Sequence, residues 1–422
     1  MPRSDAHYSF SRSTQAYEEA KQVFAGGAMV TRQPLYPGEY PVFFARAKGC
    51  RAWDVDGNEF IDLFCSIGPI ICGYADDGVD AAAIEQIKLG GNRPMNPPLL
   101  IDLSRKLVEM IPSAELVRLF KTGSEATHLA ARTARVHTGK DLILRCGYHG
   151  WYDVWMSGGD RGVPMAVRGL LLSFGPRGTD GPRRMDTLPR NADLLADLLS
   201  RHTGQVAAVI LCPSWVYPFT QEHFRQIADL ARQHEAVLIF DEIKTGFRSR
   251  PGGVQELFGV TPDLTTLSKA MANGYPISAL VGRRDVMMSS LDAGAGGTFC
   301  ADAIAMGASL AALDRINELG WKPLWRVGQR LIDGLNGIAG ELGVPATAYP
   351  DPIPAMPTLR FDYEDEATHE RVVHAFYRGA IARGVFMVHW HMLFMNYSHT
   401  DADIDEVLNR CRDAMKDAAS QV

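Results

Sequence analysis

Ala236-Val237-Leu238-Ile239-Phe240-Asp241 and, downstream, Leu267-Ser268-Lys269-Ala270-Met271-Ala272-Asn273-Gly274-Tyr275-Pro276 decide how this 422-residue chain is read. The first stretch is a continuous apolar run of strand length, without the alternation of a half-exposed strand. It therefore reads as a strand buried on both faces, as in a parallel sheet covered by helices. Asp241 then falls at the carboxyl end of that strand, the edge at which open α/β sheets bind ligands. Lys269 follows a second short apolar segment and precedes a Gly-Tyr-Pro turn.

A carboxylate and a lysine in this setting suit pyridoxal phosphate (PLP). That chemistry needs a lysine to hold the cofactor aldehyde as a Schiff base and an acid to keep the pyridine nitrogen protonated. Taken singly, an Asp or a Lys is more often a solvated surface charge, so the reading rests on their context. Glu115-Leu116-Val117-Arg118-Leu119-Phe120 reads as a strand, and Lys121-Thr122-Gly123-Ser124-Glu125-Ala126 opens a helix running to about His137. Gly123 and Ser124 then lie at a helix amino terminus, where N–H groups and the helix dipole favour a phosphate. The plain alternative is an ordinary helix cap. Tyr148, in Gly147-Tyr148-His149-Gly150-Trp151 after the strand at Leu142-Ile143-Leu144-Arg145, is placed to lie on the pyridine ring; otherwise it is a packed aromatic.

These segments, with Asp241-Glu242-Ile243-Lys244-Thr245-Gly246-Phe247-Arg248 and Gly296-Gly297-Thr298-Phe299, together resemble the ordered motifs of class-III PLP-dependent aminotransferases, in the branch of glutamate-1-semialdehyde aminomutase and its aminotransferase relatives. The likeness spans nearly the whole chain. It implies an α/β protein of PLP fold type I, aspartate aminotransferase-like, with a large, mostly parallel-sheet domain and a small α+β domain. It also implies that Lys269 carries the cofactor and moves the substrate proton, that Asp241 pairs with the pyridinium, and that Gly123 and Ser124 hold the phosphate. Tyr148 and Ile243 would flank the ring. The position matching Thr298 reaches the neighbouring subunit's phosphate in this family, so a homodimer with its active site at the interface is expected.

Composition agrees with this reading. The chain is 46% hydrophobic and 22% charged, with a formal net charge of -6, which leaves no basic footprint for nucleic acid. Its seven cysteines include no C-x-x-C pair and several lie in apolar runs, so they read as reduced, mostly buried thiols, with neither a disulfide framework nor a metal site expected. Met1-Pro2-Arg3-Ser4-Asp5-Ala6-His7 has no signal-peptide core and no stretch approaches membrane-spanning length, so a cytoplasmic protein without membrane contact is expected.

A first helix is expected around Thr14–Phe24, followed by two strands joined at Asp56-Gly57. Strand–helix alternation from about Ile61 to Leu310 predicts the large domain over 61–310, and residues 1–60 and 311–422 would form a small discontinuous one. That lobe should contain an exposed strand at Thr358-Leu359-Arg360-Phe361 and a final helix from Thr400. Phe174 to Arg184 reads as a long surface loop.

Substrate recognition is the quieter part. The late arginine before a Pro-Pro-Leu-like segment found in many ω-aminotransferases is missing, as is the Glu-Pro after Val209-Ile210-Leu211; Cys212-Pro213-Ser214-Trp215 stands there instead. Arg32 is a candidate clamp for a substrate carboxylate, against the alternative of a surface charge. His389 and His391, as i and i+2 on a strand, would share a face and could both contact substrate; otherwise they mark a structural strand end. The expected activity is amino-group transfer between an amine or amino acid and a carbonyl compound, by a ping-pong route through pyridoxamine phosphate. An intramolecular aminomutase is the runner-up and a PLP racemase a third enzyme reading. From another class, a non-catalytic cofactor-binding module is opposed by the intact Lys269 and Asp241.

Overall fold

The computed structural model describes residues 8–28, 40, 43–156, 162–175 and 190–422. Arg32, and most of the Phe174–Arg184 loop, lie outside them. Strands run in chain order as β1 (Phe44–Lys48), β2 (Arg51–Asp54), β3 (Glu59–Asp62), β4 (Leu116–Phe120), β5 (Leu142–Cys146), β6 (Leu171–Ser173), β7 (Val206–Leu211), β8 (Val237–Asp241), β9 (Leu264–Leu267), β10 (Ser278–Gly282), β11 (Ala346–Pro350), β12 (Pro357–Phe361) and β13 (Val385–Phe386). The chain divides into two compact units. One comprises the chain up to Ile67, Ile71–Asp76 and Lys322–Val422; the other comprises Gly68–Ile70 and Asp77–Trp321.

The second, central unit is built on a seven-stranded sheet of order β4-β10-β9-β8-β7-β5-β6. Its neighbours from β9 to β6 pair in parallel, and β10 runs antiparallel to both β4 and β9. Every residue of β5, β7 and β8 is buried. Alternate residues divide between two cores. Leu142, Leu144, Leu238 and Phe240 pack with the helices Asn191–Arg201 and Gln221–Gln233, while Ile143, Ile239 and Leu280 pack with Gly123–Thr138 and Trp155. A strand covered on both faces has no polar side to show, which is why β7 and β8 up to Phe240 read as unbroken apolar runs, with the buried Arg145 the exception in β5. The fold is α/β, PLP fold type I.

The terminal unit carries a four-stranded sheet of order β1-β2-β3-β13, a two-stranded β11-β12 sheet, and the helices Lys322–Leu342, Glu366–Ala382 and Asp401–Ala419. Thr400 opens the last helix with a capping box closed by Asp403, and the turn expected at Asp56-Gly57 joins β2 to β3. Three local expectations need correction here. The first helix spans Ser11–Ala20, earlier than expected, because the distant Asp56 carboxylate accepts the Arg12 and Ser13 amides at 2.8 Å each and so fixes its start. The strand at Thr358–Phe361 is buried, not exposed, since it pairs with β11 and sets Phe361 against Phe376 at 5.3 Å. His389 and His391 lie in a turn, because the strand before them ends at Phe386.

Candidate active site

Asp241, His149, Ile243 and Gly123 come together at one edge of the central sheet, the carboxyl end of the parallel strands. Asp241 is the last residue of β8 and only 3% exposed. Its carboxylate accepts three hydrogen bonds: from His149 Nδ1 at 2.7 Å, from the Ile243 amide at 3.2 Å and from Thr266 Oγ1 at 3.1 Å. An ionised carboxylate offers about four lone-pair positions, so room for one further N–H donor remains. His149 is itself buried, and its Nε2 has no hydrogen-bond partner among the described residues. The Nδ1 contact to a carboxylate places the ring proton on Nδ1. The loop carrying His149 is tied down through its carbonyl, which accepts from Thr127 Oγ1 at 2.6 Å, and that oxygen in turn accepts from Trp155 Nε1 at 3.0 Å.

Lys269 opens a short 3-10 turn after β9 with φ of 47°, in the left-handed region that few non-glycine residues occupy. The turn is held by Ser268 Oγ donating to the Ile277 carbonyl at 2.9 Å and by Ser309 Oγ donating to the Met271 carbonyl at 3.0 Å. The Lys269 side chain has no hydrogen-bond or ion-pair partner among the described residues. Burial foremost, then the neighbouring Lys244 charge, lowers its ammonium to about 8. More of the amine is therefore in the neutral, nucleophilic form near neutral pH than for an ordinary lysine.

The helix Gly123–Thr138 starts beside this edge. Thr122 and Glu125 form a capping box that satisfies the Glu125 and Thr122 amides, while the Gly123 and Ser124 amides have no acceptor among the described residues. Two N–H groups at a sixteen-residue helix's positive end are an anion cradle. Side chains close it tightly: a Cβ on Gly123 would come within 2.6 Å of Ile243 Cδ1, and one on Gly150 within 2.5 Å of Ser124 Oγ. Ile243 thus borders the cradle, and Tyr148, 46% exposed, offers an accessible ring on the loop that also carries His149. Thr298 is exposed, next to Phe299 at 59% exposure. An acid with one acceptor position left, an amine without a partner among the described residues and an anion cradle fit a pyridine nitrogen, an aldehyde and a phosphate, so the residues suit PLP. His389 and His391 belong to the terminal unit, where the His391 ring nitrogen Nδ1 lies 3.0 Å from the Met392 carbonyl and His389 packs edge-on to Tyr377.

Sequence reading gave no role to His149, Thr266 or Glu242. His149 stands inside a quoted motif, but 92 residues separate it from Asp241, and only the adjacency of strand ends joins them. Glu242 is fully buried and its carboxylate accepts from the Val254 amide at 2.7 Å and Thr245 Oγ1 at 3.0 Å, with burial raising its pKa. It anchors the loop that follows β8.

This fold and this edge define the PLP-dependent enzymes of fold type I. The class-III aminotransferase family profile matches residues 36–415. Among curated proteins, the 3-aminobutyryl-CoA aminotransferase of Cloacimonas acidaminovorans is 36% identical over 415 residues, covering 96% of this chain and 97% of that protein. The glutamate-1-semialdehyde 2,1-aminomutase of Persephonella marina is 33% identical over 432 residues, covering 96% and 98%. Among solved structures, the PLP form of the FumI protein of Sphingopyxis sp. MTA144 superposes with a TM-score of 0.86 at 29% identity, covering 96% of this chain and 95% of that one. An ω-transaminase from Sphaerobacter thermophilus gives 0.85 at 26% identity, covering 96% and 97%. The chain belongs to the class-III aminotransferases. It is a PLP-dependent aminotransferase, moving an amino group between an amine or amino acid and a carbonyl compound.

Proposed function

We propose that Lys269 holds the cofactor and carries the proton between substrate carbon and cofactor carbon, and that Asp241, oriented by His149, receives the pyridine N–H. The observation carrying this reading is the convergence, at one sheet edge, of a His-backed buried acid with an amine that has no partner. PLP, when bound, supplies the electron sink for loss of the proton on the substrate's amine-bearing carbon. Gly123 and Ser124 hold its phosphate by their amides, joined by the Ser124 hydroxyl, and Tyr148 and Ile243 confine its ring. Thr298 serves the partner's phosphate across a homodimer interface; exposed Tyr148, Trp151 and Phe299 on the same unit suit such burial. The protein works in the cytoplasm. Its donor carries the amine β to an acyl carbon, a reading supported by the 36% identity to the 3-aminobutyryl-CoA enzyme.

Mixing PLP-loaded protein with 3-amino acids, their CoA thioesters, 2-amino acids and simple amines, without acceptor, tests the reaction. A 3-amino compound should convert the bound cofactor to its amine form and release the oxo product fastest. The aminomutase alternative, with which relatives such as the Persephonella enzyme are consistent, predicts instead an isomerised amine with no oxo product. Dimer mass by light scattering, and activity recovered in mixed dimers of Lys269→Ala and Thr298→Ala chains, test the shared site.

A further inference from the structure

Lys244 lies three residues beyond Asp241 at the same sheet edge and is only 9% exposed. Its ammonium nitrogen stands 5.0 Å from the centre of the Trp215 ring, and no carboxylate or hydrogen-bond acceptor among the described residues engages it. Both acids that precede it are committed elsewhere: Asp241 to His149, Ile243 and Thr266, and Glu242 to Thr245, Val254 and Gln255. Cys212 adds no counter-charge. Its thiol is buried 3.2 Å from Ser214 Oγ, and burial raises its pKa, so it stays neutral. An aromatic face compensates a buried ammonium only in part. The Lys244 ammonium is therefore left with the Trp215 face and no counter-charge among the described residues.

We propose that Lys244 is a specificity-determining residue that receives the carboxylate of an acidic substrate in the reacting complex, a role that rests on the site assignment above. The positive charge takes the part left open where the chain lacks a late arginine and has Cys212-Pro213 after β7. Methionine at 244 would keep the chain's length and remove the charge; arginine would keep the charge.

The test uses full-length wild type, Lys244→Met and Lys244→Arg. Apo-protein is titrated with PLP, the visible band of the loaded protein is titrated with pH, and half-reaction specificity constants are measured for a 3-amino acid and for the matched amine lacking its carboxylate. If the substrate's carboxylate is the anion, Lys244→Met loses roughly ten- to a hundredfold for the acid, the range of one charged hydrogen bond, and keeps wild-type rates with the amine. Lys244→Arg should recover part of that loss. An unchanged acid-to-amine ratio in Lys244→Met would overturn the proposal, and equal losses for both substrates with a fall in PLP affinity and a moved band midpoint would overturn it too, by assigning the ammonium to the cofactor. Should Lys244→Met not fold, Lys244→Gln gives the same readouts; if neither folds while Lys244→Arg does, the charge serves folding and the proposal is overturned. Failure of wild type to react with any donor would instead sink the proposed substrate class, and the affinities of wild type and Lys244→Met for the acid and the amine, read from perturbation of the visible band, would still report on Lys244.

Discussion

Each unit of this protein buries one aspartate with one histidine close by, and the two arrangements are wired differently. In the terminal unit Asp62 is 2% exposed and accepts from the Phe64 amide at 2.8 Å, the Cys65 amide at 3.0 Å and Tyr74 OH at 2.8 Å. These donors fasten three successive non-glycine residues, Cys65, Ser66 and Ile67, in left-handed conformation at φ of 48°, 56° and 68°. Such residues cost roughly 1–2 kcal/mol each, which the buried carboxylate helps to offset. His399 is saturated: Nδ1 accepts the Asn396 amide at 3.0 Å, so Nε2 carries the proton and donates to the Asp62 carbonyl at 3.1 Å. In the central unit Asp241 is just as buried, at 3%, yet its histidine contacts the carboxylate itself and keeps one nitrogen without a partner. Neither burial nor the carboxylates separate the two sites, since each acid accepts three hydrogen bonds. The histidines do: His399 uses both ring nitrogens, whereas His149 Nε2 has no partner among the described residues and can still take one.

The largest expected effect is at Lys269. Lys269→Ala should abolish amino transfer and remove the borohydride-trapped cofactor from this peptide, while His399→Asn should keep both; a label found on another lysine would break the contrast at its centre. Asp241→Asn comes next. A neutral amide should leave the fold in place and slow proton abstraction by at least a hundredfold, on the scale of one well-placed ionic group in a water-poor site, as measured in single-turnover half-reactions. Wild-type rates would remove Asp241 from the chemistry.

His399 sharpens the comparison through pH. Burial lowers its folded-state pKa from 6.5 to about 4. The unfolded chain then takes up a proton below pH 6.5 that the folded chain refuses until about 4. The contribution of the neutral imidazole is thus complete above pH 6.5 and is lost as pH falls, reaching about 3 kcal/mol by pH 4. Asp62 acts in the opposite sense over nearly the same interval, since burial raises its pKa to about 6 and favours the protonated folded form as pH falls. Wild-type stability should therefore change little from this pair. His399→Asn, measured against wild type by urea unfolding, should see its penalty shrink by about 3 kcal/mol between pH 6.5 and 4; a constant penalty would show that the imidazole does not titrate abnormally. The smallest effect is at the anion cradle. Ser124→Ala should weaken PLP retention by roughly 1–3 kcal/mol without changing the unfolding midpoint of the apo-protein.

Much of this was legible in the sequence, for local reasons. The runs at β5, β7 and β8 announced a doubly covered sheet because burial on both faces erases alternation. Asp241 and Lys269 were visible because strand ends and the turns after them are encoded within a few neighbouring residues, and the Thr122–Glu125 capping box marks the phosphate helix in the same way. Other features depended on partners far along the chain. The start of the first helix hangs on Asp56, the burial of β12 on its pairing with β11, and the turn at His389 and His391 on the early end of β13. Only the tertiary structure could set His149 on Asp241 across 92 residues, or leave Lys244 beside Trp215 without an acid. Sequence by itself determined the buried parallel strands of the central unit and which residues stand at their carboxyl ends, since those follow from short-range pattern and backbone preference. The structure decided which of those ends meet and which polar groups remain unsatisfied there, because strand order and hydrogen-bond accounting are properties of the folded chain as a whole.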